Sequence, residues 1–178
     1  MVSEDLYSRL NETIVSVPDF PKKGVLFRDI SPIFLYPKLY KEIVDAFVRF
    51  SRGHVDVVCG IESRGYLFGI SIAQALGVPF ILIRKKGKLP PPILSEQYEL
   101  EYGFSEIEMK KDQLKKDLRV LIHDDLLATG GTTEAAARLV EKQGSRVTQF
   151  SFLIELEFLQ GEKKLQPFGA EVFKILKY

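Results

Sequence analysis

Val120-Leu121-Ile122-His123-Asp124-Asp125-Leu126-Leu127-Ala128-Thr129-Gly130-Gly131-Thr132-Thr133 decides the fold. An apolar, β-branched run ends in two adjacent acids. A short turn rich in glycine and threonine follows, and a helical pattern starts at about Thr132 and stops at Gly144, a natural cap. Strand, turn and helix in this order form the unit of an open α/β sheet, whose ligand crevice lies outside the carboxyl ends of its strands. Backbone N–H groups at Gly130, Gly131 and Thr132, with the Thr129 and Thr133 hydroxyls, make a nest at a helix N-terminus that suits a phosphate monoester. Glycine serves where the chain must come close to the ligand or take a positive φ. Asp124 and Asp125 would repel phosphate, so they make sense as acceptors for sugar hydroxyls beside it. Ribose 5-phosphate presents both features. A capped helix next to two solvated acids explains Asp-Asp alone, but not the whole run.

Outward from this stretch the same rhythm repeats. Helices are expected after Ser3, with Leu6, Leu10 and Ile14 on one face, and after Pro37, with Leu39, Ile43, Ala46, Phe47 and Phe50. A third runs from about Arg64 to Leu76 and stops at Gly77. Apolar, β-branched runs at residues 55–59, 80–83, 120–122, 147–154 and 172–176 read as strands, several of them buried on both faces. Alternating strands and helices predict an α/β fold: an open, mostly parallel sheet flanked by helices. Residues 84–116 break the pattern. They open on Arg84-Lys85-Lys86-Gly87-Lys88, pass Pro90-Pro91-Pro92, and then alternate polar and apolar residues around Gly103. A two-stranded hairpin outside the main sheet is expected there. Such an insertion is a lid or a disordered tether, and the regular alternation favours a lid.

Composition bounds the rest. The chain has 178 residues, enough for about one domain, and 46% of them are hydrophobic and 28% charged, which excludes a disordered or collagen-like chain. Lys and Arg number 25 against 24 Asp and Glu, a net charge of +1 that gives no support for wrapping nucleic acid. Cys59 alone cannot form an internal disulfide, which suits a reducing compartment. The start of the chain is acidic and amphipathic, without the basic and apolar blocks of a secretion signal, and no apolar run is long enough to span a membrane. A cytoplasmic location is therefore expected. Asn11-Glu12-Thr13 is an accidental match to a glycosylation acceptor. No Gly-x-x-x-x-Gly-Lys-Ser/Thr and no Gly-x-Gly-x-x-Gly is present, which excludes the P-loop and argues against a dinucleotide fold.

The stretch around Asp124 and Asp125 resembles the phosphoribosyl pyrophosphate motif of the type I phosphoribosyltransferases. Three further segments narrow the resemblance to the adenine-specific members: residues 17–32 (VPDFPKKGVLFRDISP), residues 60–69 (GIESRGYLFG), and Ile83-Arg84-Lys85-Lys86-Gly87-Lys88-Leu89-Pro90 continuing to Leu100-Glu101-Tyr102-Gly103. The resemblance covers about residues 6–156. It implies a single domain, residues 1–178, with a small N-terminal hood and the insertion as lid. It also implies transfer of the phosphoribosyl group from phosphoribosyl pyrophosphate to adenine, giving AMP and pyrophosphate, in a cytoplasmic homodimer. Mg²⁺ would arrive on the substrate, with no zinc-type cluster and neither nucleic acid nor membrane as partner.

By the same resemblance Asp124 and Asp125 hold the ribose hydroxyls, and Ala128, Thr129, Gly130, Gly131 and Thr132 bind the 5′-phosphate. Glu62, Ser63 and Arg64, with Arg84 and Lys88, attend the pyrophosphate. Val25, Phe27 and Arg28 form the adenine pocket. Glu101 handles a proton near the purine imidazole, and Tyr102 helps close the site. Each has a plainer alternative: a capped helix for Ser63, a core aromatic for Phe27, a solvated basic loop for Arg84 and Lys88. Cys59 reads as buried, and His54 as a surface residue. His123 and Pro91 depart from the family. His123 is either a satisfied core histidine or a charge that perturbs Asp124, and the prolines stiffen the loop. Pro32-Ile33-Phe34-Leu35-Tyr36 offers apolar surface for an interface. The rivals are a transferase for guanine or xanthine, and a ligand sensor that has lost catalysis.

Overall fold

The computed structural model describes residues 3–99 and 103–178. They divide into two compact units, one ending at Ala46 and the other Phe47–Tyr178.

In the first unit, Ser3 caps helix α1 (Glu4–Thr13) by accepting the Leu6 N–H at 3.2 Å, and Glu4 and Asp5 lie at the positive end of the helix. Leu6 and Leu10 are buried, and Arg9 forks onto Glu42 of α2 (Pro37–Ser51). Two short strands, β1 (Val15–Pro18) and β2 (Leu26–Asp29), pair antiparallel with Val17 opposite Phe27. Their mixed burial gives no alternation, so sequence periodicity does not reveal them.

The larger unit holds a seven-stranded sheet: β3 (Val57–Ile61), β4 (Phe80–Lys85), β5 (Ile93–Glu99), β6 (Phe104–Lys110), β7 (Arg119–Leu127), β8 (Arg146–Glu155) and β9 (Glu171–Lys177). The order is β5-β6-β4-β3-β7-β8-β9, and the five strands from β4 to β9 are parallel. Helices α3 (Gly65–Leu76) and α4 (Gly131–Lys142) make the crossovers β3 to β4 and β7 to β8. Val57, Cys59, Ile61, Val120 and Ile122 join the apolar side of α4 in one core. The intervening positions include His123, which meets Phe68 of α3 and Phe47 at the end of α2. Helices therefore cover both faces, as the uninterrupted apolar runs require. At the opposite end from the strands' carboxyl termini, Arg119 clamps Asp56. Its backbone N–H and Nε donate to Asp56 Oδ2 at 2.9 and 3.1 Å, and Nη2 donates to Oδ1 at 2.7 Å.

Two expectations need correction. The hairpin of β5 and β6 does not lie outside the main sheet: β6 pairs antiparallel with β4, Ile83 opposite Met109, and extends the sheet. The physical reason is that β4 would otherwise end the sheet with unpaired amides, and β6 brings Ile107 and Met109 into the core as it covers them. Glu96 of β5 then ion-pairs with Lys142 and Arg138 of α4. The second correction concerns β7, which continues through Asp124 and Asp125 to Leu127 because β8 pairs with it as far as Leu127 opposite Glu155. The acids lie inside the strand's end, not beyond it.

Candidate active site

β3 and β7 are parallel neighbours, and β3 is also where the chain turns away to β4 on its other side. That divergence opens a crevice at the carboxyl ends. A cleft of about 330 Å³ lies there. Glu62, Ser63 and Arg64 line it from the loop after β3, Lys85 from β4, Asp124, Asp125 and Leu126 from β7, and residues 128–133 from the turn into α4. The structure thus brings together both predicted acids, the phosphate turn and the loop assigned to pyrophosphate.

The α3 N-terminus packs directly on Asp124. A Cβ on Gly65 would stand 2.8 Å from the His123 carbonyl oxygen and 3.0 Å from Asp124 Oδ1, so only glycine lets the helix come this close. Asp124 Oδ1 accepts the Asp125 N–H at 2.9 Å. Arg64 Nε lies 3.0 Å from Asp125 Oδ2, and the Asp125 side chain is almost wholly buried. Burial raises the proton affinity of both carboxyls, and the Asp125 charge raises that of Asp124 further, while the Arg64 guanidinium pulls Asp125 back. The pair is tied to the adjacent loop through Arg64. In the glycine turn Gly130 takes φ 78°, a left-handed conformation that favours glycine, immediately before α4.

Arg84 and Lys88 do not border this cleft. Arg84 donates to the Lys88 carbonyl at 2.9 Å and pairs with Glu62 at 3.2 Å. Burial works against the Glu62 charge, but the Lys85 amide and the Arg84 guanidinium outweigh it and hold Glu62 below the usual carboxylate range. The basic residues that line the cleft are Arg64 and Lys85, and sequence reasoning passed over Lys85. It shares strand parity with the buried Ile81 and Ile83, a signal hidden because residues 80–83 are apolar throughout. Thr133, whose hydroxyl was expected in the nest, lines the cleft, and so does Leu126, to which the sequence assigned no role. A second hollow, on the other side of Gly131, is lined by Tyr98, Glu99, Phe104 and Lys164 among others. Glu101 and Tyr102 lie outside the described residues. Val25, Phe27 and Arg28 belong to the N-terminal unit. There the Phe27 ring meets Phe20 edge-on at 5.1 Å and Arg28 Nη1 donates to Ser16 Oγ.

Residues 36–164 match the family model described as "Phosphoribosyl transferase domain". A protein of Ureaplasma parvum named adenine phosphoribosyltransferase is 50% identical over 170 residues, 95% of this chain and 96% of its own length. The chain belongs to the adenine phosphoribosyltransferase family. The adenine phosphoribosyltransferase of Rhodothermus marinus has a similar crystal structure, with a TM-score of 0.93 and 44% identity over 99% of this chain and 100% of that one. That of Trypanosoma brucei, solved with AMP, pyrophosphate and ribose-5-phosphate, is 26% identical with a TM-score of 0.88, covering 98% of this chain and 81% of that one. The mostly parallel sheet and flanking helices expected from the sequence are thus those of adenine phosphoribosyltransferases.

Proposed function

We propose that the protein transfers the 5-phosphoribosyl group from phosphoribosyl pyrophosphate to adenine, releasing pyrophosphate and forming AMP for purine salvage. The observation that supports this best is the single cleft that joins the Asp124–Asp125 pair, the Arg64 loop and the glycine turn. In this reading residues 128–132 hold the 5′-phosphate through backbone N–H groups and hydroxyls at the α4 N-terminus. Asp124 and Asp125 accept the ribose hydroxyls and stabilise positive charge developing at C1′. Arg64 and Lys85 face the departing pyrophosphate, with Arg84 and Lys88 alongside; Glu62 positions Arg84. The C1′–oxygen bond to pyrophosphate breaks, adenine N9 bonds to C1′, and the N9 proton passes to Glu101. Phe27 stacks on the purine, Val25 and Arg28 address its edge, and Tyr102 helps exclude water from the charged sugar.

Mg²⁺ enters on the substrate phosphates, the usual way this ion is held in such sites. We read the protein as a cytoplasmic homodimer, in which the exposed Leu35 and Tyr36 provide apolar interface surface. Among the described residues no helix is long and apolar enough to cross a membrane.

Turnover and ribose 5-phosphate binding in Asp124→Asn and Glu101→Gln test the division of roles. Each variant should lose about 10²-fold or more in turnover, and Asp124→Asn should also bind the sugar phosphate more weakly. Undiminished turnover in either variant shows that its role is misassigned. Offered adenine, guanine and xanthine with phosphoribosyl pyrophosphate, the protein should convert adenine, and a preference for either other base overturns the specificity.

A further inference from the structure

β7 and β8 are parallel neighbours, so the turns leaving their carboxyl ends run side by side. The first is the phosphate turn. The second follows Glu155, and the ladder continues into it as Leu156 donates its N–H to the Leu127 carbonyl at 2.9 Å. It folds into short 3-10 turns, one of which, Gly161–Lys164, starts with a buried glycine. A Cβ on Gly161 would stand 2.1 Å from the Ala128 carbonyl oxygen and 2.9 Å from Gly130 N. A Cβ on Gly130 would stand 2.4 Å from the Gly161 carbonyl oxygen. Every one of these neighbours is main chain, with no flexible side chain to yield. The Gly161 turn is itself braced: Lys174 of β9 reaches Glu162 within it and Glu155 at 3.3 Å, and the side chains of Lys174 and Glu155 are largely buried.

We propose that Gly161 is a positioning residue for the reaction: its backbone forms the rear wall of the phosphate turn and sets the path of residues 128–130. A side chain there would push the Ala128 carbonyl and the Gly130 amide aside and spoil the cradle, although Gly161 itself does not line the cleft. This rests on reading residues 128–132 as the site of the 5′-phosphate.

The test is kinetic. Gly161→Ala should raise the KM for phosphoribosyl pyrophosphate and the Kd for ribose 5-phosphate roughly tenfold or more, with the KM for adenine unchanged. Gly169→Ala is the control, because Gly169 lies in the same segment at φ 62° with open space around it. It should lower the Tm and leave both phosphate constants alone. Wild-type phosphate constants in Gly161→Ala overturn the proposal, as does a Gly169→Ala variant with the same phosphate defect. Should Gly161→Ala fail to fold, amide exchange in the wild-type protein decides. Ribose 5-phosphate should slow exchange across residues 157–165, and unchanged exchange there overturns the proposal. A wild-type protein that does not bind ribose 5-phosphate refutes the reading of the turn itself, a result distinct from a failure of Gly161 alone.

Discussion

His123 sits one residue from the proposed ribose-binding acids and carries no charge to them. Its side chain is fully buried, with Phe47 edge-on at 4.9 Å and Ser151 Oγ 2.8 Å from Nδ1. Burial pushes its pKa down to about 3 from the usual 6.5. Of the two readings open in the sequence, the geometry supports a core histidine, but one only half satisfied, because Nε2 is buried with no hydrogen-bond partner among the described residues. Its cost appears in acid. The unfolded chain takes up a proton near pH 6.5 and the folded chain only near pH 3, so stability is complete above about 6.5 and falls as pH drops towards 3. Urea titrations across that range should show a slope of up to about 1.4 kcal/mol per pH unit from this residue, and His123→Gln should remove it. An unchanged slope in the variant would place the acid sensitivity elsewhere. The acids and the glycine turn are legible in sequence because their chemistry is contiguous. Lys85 is hidden by an apolar run without phase, and Gly161 by its distance along the chain from the turn it supports, a proximity that only the β7–β8 pairing creates.

Among the elements, β3 and β7 carry the cleft, so their alignment matters. The Arg119–Asp56 clamp sets it from the far end. The Asp56 carboxyl, hydrogen-bonded by the Arg119 side chain and backbone, is held at about 2 against an ordinary 3.8. Its contribution is therefore present above about pH 4 and lost as pH falls to about 2. Both side chains are about one-third exposed, so the effect is screened. Asp56→Asn should lower the Tm at pH 7 by roughly 2–4 °C, and the gap to wild type should close between pH 4 and 2. No gap at pH 7 would show the clamp to be decorative. Helix ends were readable from glycine alone: α3 stops at Gly77 with φ 70°, and Gly144 takes φ 82° just past α4. The hairpin's strands were readable too, but not where they dock. Alternation tells which side chains share a face and says nothing of which strand edge receives them.

For the molecule as a whole, occupancy of the cleft should be felt as stability. AMP at about a hundred times its Kd contributes about 2.7 kcal/mol, which should raise the Tm by roughly 5–10 °C for a chain of this size. A chelator should abolish turnover by stripping the metal from phosphoribosyl pyrophosphate, yet leave the Tm of the ligand-free protein unchanged. A fall in Tm on chelation would mean that the fold itself holds a metal ion. The docking of the hairpin on β4 has a further consequence for the molecule in a crowded cell. A bare β4 would present its amides, and the apolar Ile81 and Ile83 behind them, to any stray strand. With β6 and β5 added, the rim of the sheet instead displays Ser95, Gln97 and Glu99 to solvent, a hydrophilic selvage that discourages neighbouring copies from zipping together into fibrils.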